Sequence, residues 1–274
     1  ISICAETAED LIAQIKRAEE LADVIEIRFD YLSNCEQIGI VLQTLHQSRY
    51  FFKKYQILAT FRPKEQGGKG NWQLRDRLAF WGETLPDNLF DITDLEYDFK
   101  LQKYAAETST KIIRSFHDFQ GIPDNFGEIR KKTGRRPHQI LKFAITANDA
   151  FDGLSVMNLL KKYGYAKKPL VPIAMGESGK WTRILGLAHG AFMTYAALDS
   201  GKKTAPGQVS AEDLIEVYRV KELDENTEVY GILGSNTSVS MSPYIHNAAF
   251  KFHNLNAVFV PLQTHNLDEF IRRM

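Results

Sequence analysis

The chain has 274 residues, of which 34 are basic and 34 acidic, so its formal net charge at neutral pH is zero. Because nucleic acids and anionic membranes select proteins with an excess of positive charge, this balance supports neither class of partner. No apolar run approaches the roughly 18 residues of a membrane span, and two cysteines are too few for a disulfide framework. We therefore expect a soluble cytoplasmic protein with reduced thiols.

Short β-rich stretches alternate with longer helical patterns over the first 220 residues. The predicted strands are, in chain order, Ser2–Ala5, Val24–Asp30, Gln56–Phe61, Leu89–Glu96, Lys111–Phe116, Gln139–Ala144, Leu170–Ala174 and Ala191–Tyr195. Helices are predicted at Ala8–Ala22, Ile38–His46, Gln73–Trp81, Phe126–Lys132, Ala150–Tyr163, Trp181–Leu187 and Ala211–Tyr218. About eight such repeats in a chain of this length predict an α/β fold, a (β/α)8 TIM barrel. A doubly wound parallel sheet is the alternative that periodicity alone leaves open.

The pattern changes near residue 222. Lys221–Glu228 is polar and charged, which is typical of a surface linker. A strand that runs into a glycine turn, a helix at Ser242–His253 and a strand at Ala257–Gln263 follow it. Because a tail of about 50 residues cannot easily bury its own apolar faces, we predict two domains. Residues 1–221 would form the barrel, and residues 222–274 the truncated start of a second α/β domain.

Polar side chains recur where the predicted strands end. In the second strand Ile25, Ile27 and Phe29 alternate with Glu26, Arg28 and Asp30, so the apolar set should meet the outer helices and the charged set the barrel mouth. Buried charges are costly unless they neutralise one another or a ligand. The side chains predicted to converge on this mouth are Glu26, Arg28, Arg62, Glu96, His117, Lys142 and Arg183, with the loop Thr204–Gln208.

Lys142 lies inside the apolar stretch Ile140–Thr146, although lysine is rarely buried unless it is paired. Apolar neighbours and other cations disfavour the ammonium form, and a free amine can attack a ketone to form a Schiff base. A histidine such as His117 can then move the proton of the acidified carbon, while arginines bind a substrate carboxylate. This set predicts imine-mediated elimination or aldol chemistry on an anionic keto compound, without a metal or an organic cofactor.

Six short motifs follow one another along residues 1–220. They are E-I-R-F-D (Glu26–Asp30), T-F-R-P-K (Thr60–Lys64), S-F-H-D-F (Ser115–Phe119), L-K-F-A (Leu141–Ala144), T-R-I-L (Thr182–Leu185) and A-P-G-Q (Ala205–Gln208). Together they resemble the type I 3-dehydroquinate dehydratases. The resemblance implies a (β/α)8 barrel that dehydrates the small molecule 3-dehydroquinate to 3-dehydroshikimate, through a lysine Schiff base, in the shikimate pathway of aromatic amino acid biosynthesis.

The resemblance also implies a role for each matched position. Lys142 would be the Schiff-base lysine, His117 the general acid and base, and Glu96 the carboxylate beside the histidine. The substrate would be bound by Glu26, Arg28, Arg62, Arg183, Thr204 and Gln208. Thr204 stands where the family usually has serine; its hydroxyl keeps the donor, while its extra methyl group bears on loop closure.

The tail carries a second resemblance. Tyr230–Phe250 is similar to the start of the shikimate dehydrogenases, which implies that Ser240 and Ser242 bind the shikimate carboxylate. Capping of the helix that begins near Pro243 is the alternative role of these serines. NADP would bind only the missing part of that domain. We therefore expect the second activity to be absent from this chain, and we expect the tail to contact the remainder of the domain.

Three alternatives stay open at this point. The barrel could be a non-catalytic sensor of pathway intermediates, although such a regulator should have lost Lys142 or His117. It could also be another imine-forming lyase on the same fold, since fold alone does not specify activity. Finally, Lys142 could be a salt-bridged strand residue, His117 a core histidine, and Glu26 with Arg28 an internal ion pair.

Overall fold

The computed structural model describes residues 1–48, 54–99, 109–123, 126–133, 139–163, 169–199, 205 and 207–273. They group into two units: Ile1–His117 with Ile129–Ile140, and Asp118–Glu128 with Leu141–Met274. Both sides of the predicted boundary at residues 221 and 222 lie in the second unit, and a division into domains there stays a prediction. None of the helices in the described ranges is long and apolar enough to cross a membrane.

The first unit is built on five parallel strands that pair in chain order. They are β1 (Ser2–Ile3), β2 (Val24–Arg28), β3 (Gln56–Thr60), β4 (Ile92–Glu96) and β5 (Lys111–Asp118), and the helices are α1 (Ala8–Ala18), α2 (Cys35–Ser48), α3 (Leu74–Thr84) and α4 (Phe126–Thr133). Arg28 is level with Thr60, Thr60 with Asp94, and Glu96 with Ser115. The carboxyl ends of β2 to β5 therefore lie side by side.

Alternation along the strands sorts apolar from polar side chains as predicted. Ile25 and Ile27 of β2 are fully buried, and Phe29 just beyond it packs against Phe80 of α3, with ring centres 4.7 Å apart. Phe61, which follows β3, contacts the same Phe80 ring at 5.1 Å. The apolar face of these strands therefore meets α3, and the residues that alternate with it face the opposite side.

In the second unit, the described residues form parallel strand pairs and further α-helices, together with the first turn of α4. β6 (Ile140–Thr146) pairs with β7 (Leu170–Met175), β8 (Ala196–Ala197) with β9 (Val209–Ser210), and β10 (Glu228–Gly234) with β11 (Ala257–Gln263). The helices are α5 (Ala150–Tyr163), α6 (Lys180–Leu185), α7 (Ser242–Phe252) and α8 (Leu267–Arg273). A 3-10 turn at Glu177–Gly179 precedes α6, and a π-helical turn at Asp213–Val217 follows β9.

Seven of the eight strands predicted in residues 1–221 are present, and the eighth lies elsewhere. Ala191–Tyr195 is not a strand, because Ala191 N–H donates back to the Gly186 carbonyl at 2.9 Å and Thr194 Oγ1 donates to the Arg183 carbonyl at 2.8 Å. These residues wrap around the end of α6, and the strand begins only at Ala196. Closure of the strands into a complete eight-stranded barrel stays a prediction.

The second predicted strand, Val24–Asp30, is shorter in the structure. β2 ends at Arg28, and Phe29–Tyr31 forms a turn of 3-10 helix. The turn carries Asp30 out of the strand alternation and back toward the Arg28 guanidinium. The expected alternation placed Arg28 and Asp30 on one face, and in the structure Asp30 is the ion-pair partner of Arg28.

Gly153→Ala should destabilise the second unit. An added Cβ at this position in α5 would lie 2.6 Å from the buried Trp181 ring, which is held by a 3.1 Å hydrogen bond from Nε1 to the Ala150 carbonyl. Because the ring cannot move away without losing that bond, we expect unfolding to become easier by about 1–3 kcal/mol. Urea denaturation followed by circular dichroism measures the change.

Gly39→Ala in α2 is the matched control, since nothing lies within 4 Å of a Cβ built there. Removing the backbone freedom of glycine inside an exposed helix should raise stability by about 0.5–1 kcal/mol. If both alanine variants were equally stable, the close packing of Trp181 on α5 would be contradicted.

Candidate active site

Four ionised side chains meet at the carboxyl ends of β3 and β4. Arg62 Nη2 donates to Asp94 Oδ2 at 2.6 Å, while Nη1 donates to Glu96 Oε1 at 3.1 Å and to Ser115 Oγ at 2.6 Å. Arg77 Nη2 donates to the other oxygen of Glu96. We call Arg62, Arg77, Asp94 and Glu96 the ionic cluster. Its two positive and two negative charges compensate one another, as burial requires.

Arg77 reaches this cluster from a helix. It is the first of the buried positions of α3, ahead of Phe80 and Trp81, and its Nε donates to the Phe61 carbonyl at 2.9 Å. The predicted set of site residues did not include it. The available signal was an arginine four residues before Trp81, on the apolar face of an amphipathic helix, where a buried cation needs a partner.

The pKa values in the ionic cluster follow from burial and opposite charge. Burial lowers the pKa of the Arg62 guanidinium, but Asp94 and Glu96 outweigh that effect, and the net pKa lies above its ordinary value. Burial raises the pKa of Glu96 above its ordinary 4.5, while Arg62 and Arg77 oppose that shift. Burial is the larger effect, so the net pKa of Glu96 lies above its ordinary value.

A cavity lies beside the ionic cluster, within the first unit. Its volume is about 820 Å³, and Gln66, Trp72, Arg77, Glu96 and Phe99 are among the residues that line it. This volume is in the range of small-molecule sites, which combine an apolar lining with a few polar groups. The cavity therefore gives a small molecule room next to the buried Arg77 guanidinium and the Glu96 carboxylate.

Arg28, at the end of β2, is held by Asp30. Its Nε and Nη2 donate to the two carboxylate oxygens, each at 2.8 Å, and its guanidinium lies 4.9 Å from the centre of the Tyr31 ring. Asp30 is fully buried and also accepts from the backbone N–H of Lys69 at 2.9 Å. Burial lowers the pKa of Arg28, but Asp30 raises it by more, so the side chain stays cationic.

Glu26 is engaged on the neighbouring strands. It accepts a hydrogen bond from Thr60 Oγ1 at 2.7 Å and another from the Ser2 hydroxyl. The bidentate ion pair of Arg28 is thus with Asp30, and Glu26 is bonded to hydroxyl groups. Binding of substrate by Glu26, Arg28 and Arg62 stays a prediction.

His117, at the end of β5, is in contact with Gln66. Gln66 Oε1 accepts from the backbone N–H of His117 at 3.1 Å and lies 3.3 Å from its Nδ1. Because an oxygen must face the backbone N–H, neutral imidazole carries its proton on Nδ1 and keeps the lone pair on Nε2. Nε2 is then the basic nitrogen of the ring, and its part in proton transfer stays a prediction.

Gln66 was missed in the sequence, where Glu96 was placed beside the histidine. The bonds described for Glu96 go to Arg62 and Arg77, and a role next to His117 stays a prediction for it. Gln66 sits in the turn Lys64–Gln66, just before two glycines. That turn, four residues after Arg62, was the signal that could have suggested it.

Lys142 lies in β6, in the second unit, and only 5% of it is exposed. Its Nζ lies 4.1 Å from the centre of the Tyr195 ring, which is itself buried. This is cation–π geometry, within the roughly 6 Å over which such pairs attract. Tyr195 had been predicted as a strand residue, and no pattern in the sequence pairs it with the lysine.

Arg183 and Gln208 are both buried, at 3% exposure, in the same unit as Lys142. Gln208 Oε1 accepts from the Ala205 N–H at 3.3 Å and so closes the turn that it ends. Gly207, in the left-handed region at φ +71°, approaches the turn after β7 so closely that a Cβ would lie 2.1 Å from the Gly176 carbonyl oxygen. Thr204 lies outside the described residues.

Ser240 and Ser242 stand at the start of α7, where Ser242 N–H donates to Ser240 Oγ at 3.2 Å. Pro243 occupies the first helical turn, a position that suits its fixed φ. This local bond fits helix initiation, and binding of a carboxylate by the two serines stays a prediction.

Comparison with known proteins identifies the family to which the chain belongs. The profile of the type I 3-dehydroquinases matches residues 1–225. The chain belongs to this family. It is 31% identical to the chloroplastic bifunctional 3-dehydroquinate dehydratase/shikimate dehydrogenase of Arabidopsis thaliana over 279 residues, which cover 98% of the chain and 45% of that protein.

Two further relatives of this type I family member are single dehydratases. The chain is 34% identical to the 3-dehydroquinate dehydratase of Methanococcus maripaludis over 230 residues, which cover 81% of the chain and 99% of that enzyme. The crystal structure of the type I dehydratase of Clostridium difficile covers 80% of the chain and 90% of its own, with a TM-score of 0.69 and 25% identity. The chain thus spans nearly all of a single dehydratase but less than half of the bifunctional relative.

Arg77→Met should destabilise this dehydroquinase by about 3 kcal/mol or more, because it leaves Glu96 with one of its two guanidinium partners. Folding raises the pKa of Glu96, so the folded state favours the protonated form of this carboxyl group. The stability that it contributes is present below pH 4.5 and is lost as the pH rises through the raised value. The loss of melting temperature in this variant should therefore be larger at pH 8 than at pH 5.

Arg75→Met on the same helix is the matched control, since this guanidinium is 86% exposed and its contact with Asp76 is at the surface. It should change the melting temperature little at either pH. A loss in Arg77→Met that is equal at both pH values would show that Glu96 does not carry the effect.

Proposed function

We propose that this chain dehydrates 3-dehydroquinate to 3-dehydroshikimate through an imine on Lys142, as a step of the shikimate pathway. Family membership and the similarity to single dehydratases support the activity. The observation that carries the choice of Lys142 is its place: a lysine buried at 5% exposure in a parallel strand, over an aromatic face. The side chain of a lysine in this position is shielded from water and has few accessible rotamers.

The proposed reaction starts with attack of the Lys142 amine on the substrate ketone. Loss of water gives a protonated imine, which draws electrons from the neighbouring carbon and acidifies its proton. Removal of that proton gives an enamine, and the enamine expels the hydroxyl group on the next carbon as water. Hydrolysis of the conjugated imine then frees the unsaturated ketone and the amine, so the net change is the loss of one water molecule.

His117 is the group proposed to move these protons. With Nδ1–H facing Gln66 Oε1, the ring's basic lone pair is on Nε2, which is proposed to take the proton from carbon and return it to the departing hydroxyl. Gln66 has no charge to offer, so it orients the ring without stabilising the imidazolium as a carboxylate would. Glu96 is proposed to influence the same proton transfers electrostatically, as a carboxylate of the ionic cluster.

Buried cations are proposed to hold the substrate. Arg183 supplies a guanidinium for the carboxylate, and Gln208 an amide on the loop beside it. Arg28 is already paired with Asp30, and Arg62 with Asp94. Both are therefore proposed to bind substrate hydroxyl groups through their remaining N–H donors. Thr204 is proposed to add a hydroxyl from the same loop as Gln208.

The chemistry needs no metal and no organic cofactor, because the lysine imine is itself the electron sink. We further propose that residues 1–221 form a complete (β/α)8 barrel, and that residues 222–274 are the start of a shikimate dehydrogenase domain. NADP, the contact with the remainder of that domain, and shikimate binding by Ser240 and Ser242 belong to that part of the proposal. A cytoplasmic location is proposed from composition, although the Arabidopsis relative is chloroplastic.

Borohydride should trap the proposed imine. Mixing the protein with 3-dehydroquinate, adding sodium borohydride and mapping peptides by mass spectrometry should give a reduced adduct on Lys142. Lys142→Ala should lose both the adduct and turnover, whereas Lys111→Ala, an exposed strand lysine, should keep both. An adduct on another lysine would reject the role of Lys142. A folded protein with neither adduct nor turnover would instead support a sensor of pathway intermediates.

Gln66→Leu should lower kcat by about tenfold to a hundredfold and change KM less, because His117 loses the acceptor that fixes its tautomer. Steady-state kinetics on 3-dehydroquinate measure both parameters, with circular dichroism to verify folding. Arg75→Ala, at a position of α3 whose side chain is 86% exposed, is the control and should match the wild type. Equal kcat in both variants would remove Gln66 from the mechanism.

A further inference from the structure

The C-terminal segment, Glu228–Arg273, contacts the turns that follow β6 and β7. Asp149, in the turn between β6 and α5, is 6% exposed, and its Oδ2 accepts from the backbone N–H of His265 at 2.7 Å. Arg273 of α8 stacks on Phe151 of α5, with its guanidinium carbon 4.6 Å from the ring centre. β11 also packs on α6 and on the turn Glu177–Gly179. These contacts lie within the second unit.

The two turns are bonded to each other as well. Asn148 and Asp149 both donate their backbone N–H to Asp152 Oδ2, at 2.9 and 3.0 Å, which fixes the start of α5. Ser178 Oγ donates to the Asn148 carbonyl at 3.3 Å and so ties the turn after β7 to the turn after β6. A displacement of Asp149 would therefore be passed to Ser178.

The same turns reach the residues proposed to anchor the substrate. α6, which carries Arg183, starts directly after Glu177–Gly179. The Gly176 carbonyl lies against Gly207, one residue before Gln208. Lys142 itself lies inside β6, where paired backbone bonds with β7 hold it independently of the turns.

We propose that Asp149 is a positioning residue of the dehydratase, through which the segment Glu228–Arg273 holds the turns after β6 and β7; the second of these leads into α6 with Arg183 and contacts Gly207 beside Gln208. This inference rests on the proposed function for its kinetic part only. The bond from His265 to a buried carboxylate is short and charge-assisted, a class of bond stronger than neutral ones. Its loss should loosen substrate binding while leaving the reacting groups in place.

Asp149→Ala removes the acceptor. We expect KM for 3-dehydroquinate to rise about fivefold, the equivalent of one lost hydrogen bond, with kcat within about twofold of the wild type. Asp149→Asn keeps an oxygen for the His265 N–H and should restore KM. Arg273→Ala removes a second contact between the segment and the start of α5, the one with the Phe151 ring, and should also raise KM, which keeps the test valid if Asp149→Ala fails to fold.

Lys251→Ala is the matched control. Lys251 Nζ pairs with Glu216 at 3.1 Å, a contact that also involves the C-terminal segment but is exposed and lies on neither turn. An exposed pair of this kind contributes little to stability, so KM should stay unchanged. A rise in KM equal to that of Asp149→Ala would assign the effect to general loosening of the segment and overturn the role of Asp149.

Amide hydrogen exchange tests the positioning separately from activity. In Asp149→Ala, peptides that cover residues 147–150 and 176–183 should exchange faster than in wild type, Asp149→Asn and Lys251→Ala. Unchanged exchange would overturn the inference, and so would faster exchange with unchanged KM. If the wild type did not turn over 3-dehydroquinate, the proposed function would fail, and exchange alone would decide whether Asp149 holds the turns.

Discussion

Charge neutralisation among buried groups is the constraint on which the first unit depends. Arg62, Arg77, Asp94 and Glu96 are each at most 5% exposed, and removing any one of them would leave an uncompensated charge in a low-dielectric environment. Their pairing requires β3 and β4 to keep the register that sets Thr60 beside Asp94. It also requires α3 to dock where Arg77 can cross to the strand ends. The ionic cluster, which is proposed to take part in binding the substrate, thus also constrains the register of β3 and β4 and the docking of α3.

Much of this arrangement could be predicted from the residues alone. Hydrophobic alternation located seven strands, because side chains on a strand face opposite sides with period two, and the same parity sorted Glu26 and Arg28 from Ile25 and Ile27. Family motifs, which are local in sequence, then selected the polar candidates. The resemblance to the type I dehydratases was confirmed by the family match over residues 1–225.

Partners brought in by tertiary packing could not be predicted in this way. Gln66 reaches His117 across 51 positions of sequence, and Arg77 reaches Glu96 from a helix, so neither contact leaves a periodic trace. Tyr195 was assigned to a strand because aromatic and β-branched residues such as Phe192 and Thr194 favour one, yet hydrogen bonds to the end of α6 divert the chain just before it. In each case a side-chain or carbonyl partner, distant in sequence, outweighed local preference.

The close approach of Gly207 to Gly176 restricts how this protein can change over evolutionary time. Both residues have positive φ, at +71° and +89°, and the space that a side chain at 207 would need is already filled by a carbonyl oxygen. A residue other than glycine at position 207 is therefore tolerated only if the backbone of the facing turn shifts as well. A single nucleotide change rarely produces both changes. Adaptation of the loop to a new substrate is expected to proceed through its side-chain-bearing neighbours, with the glycine pair inherited unchanged.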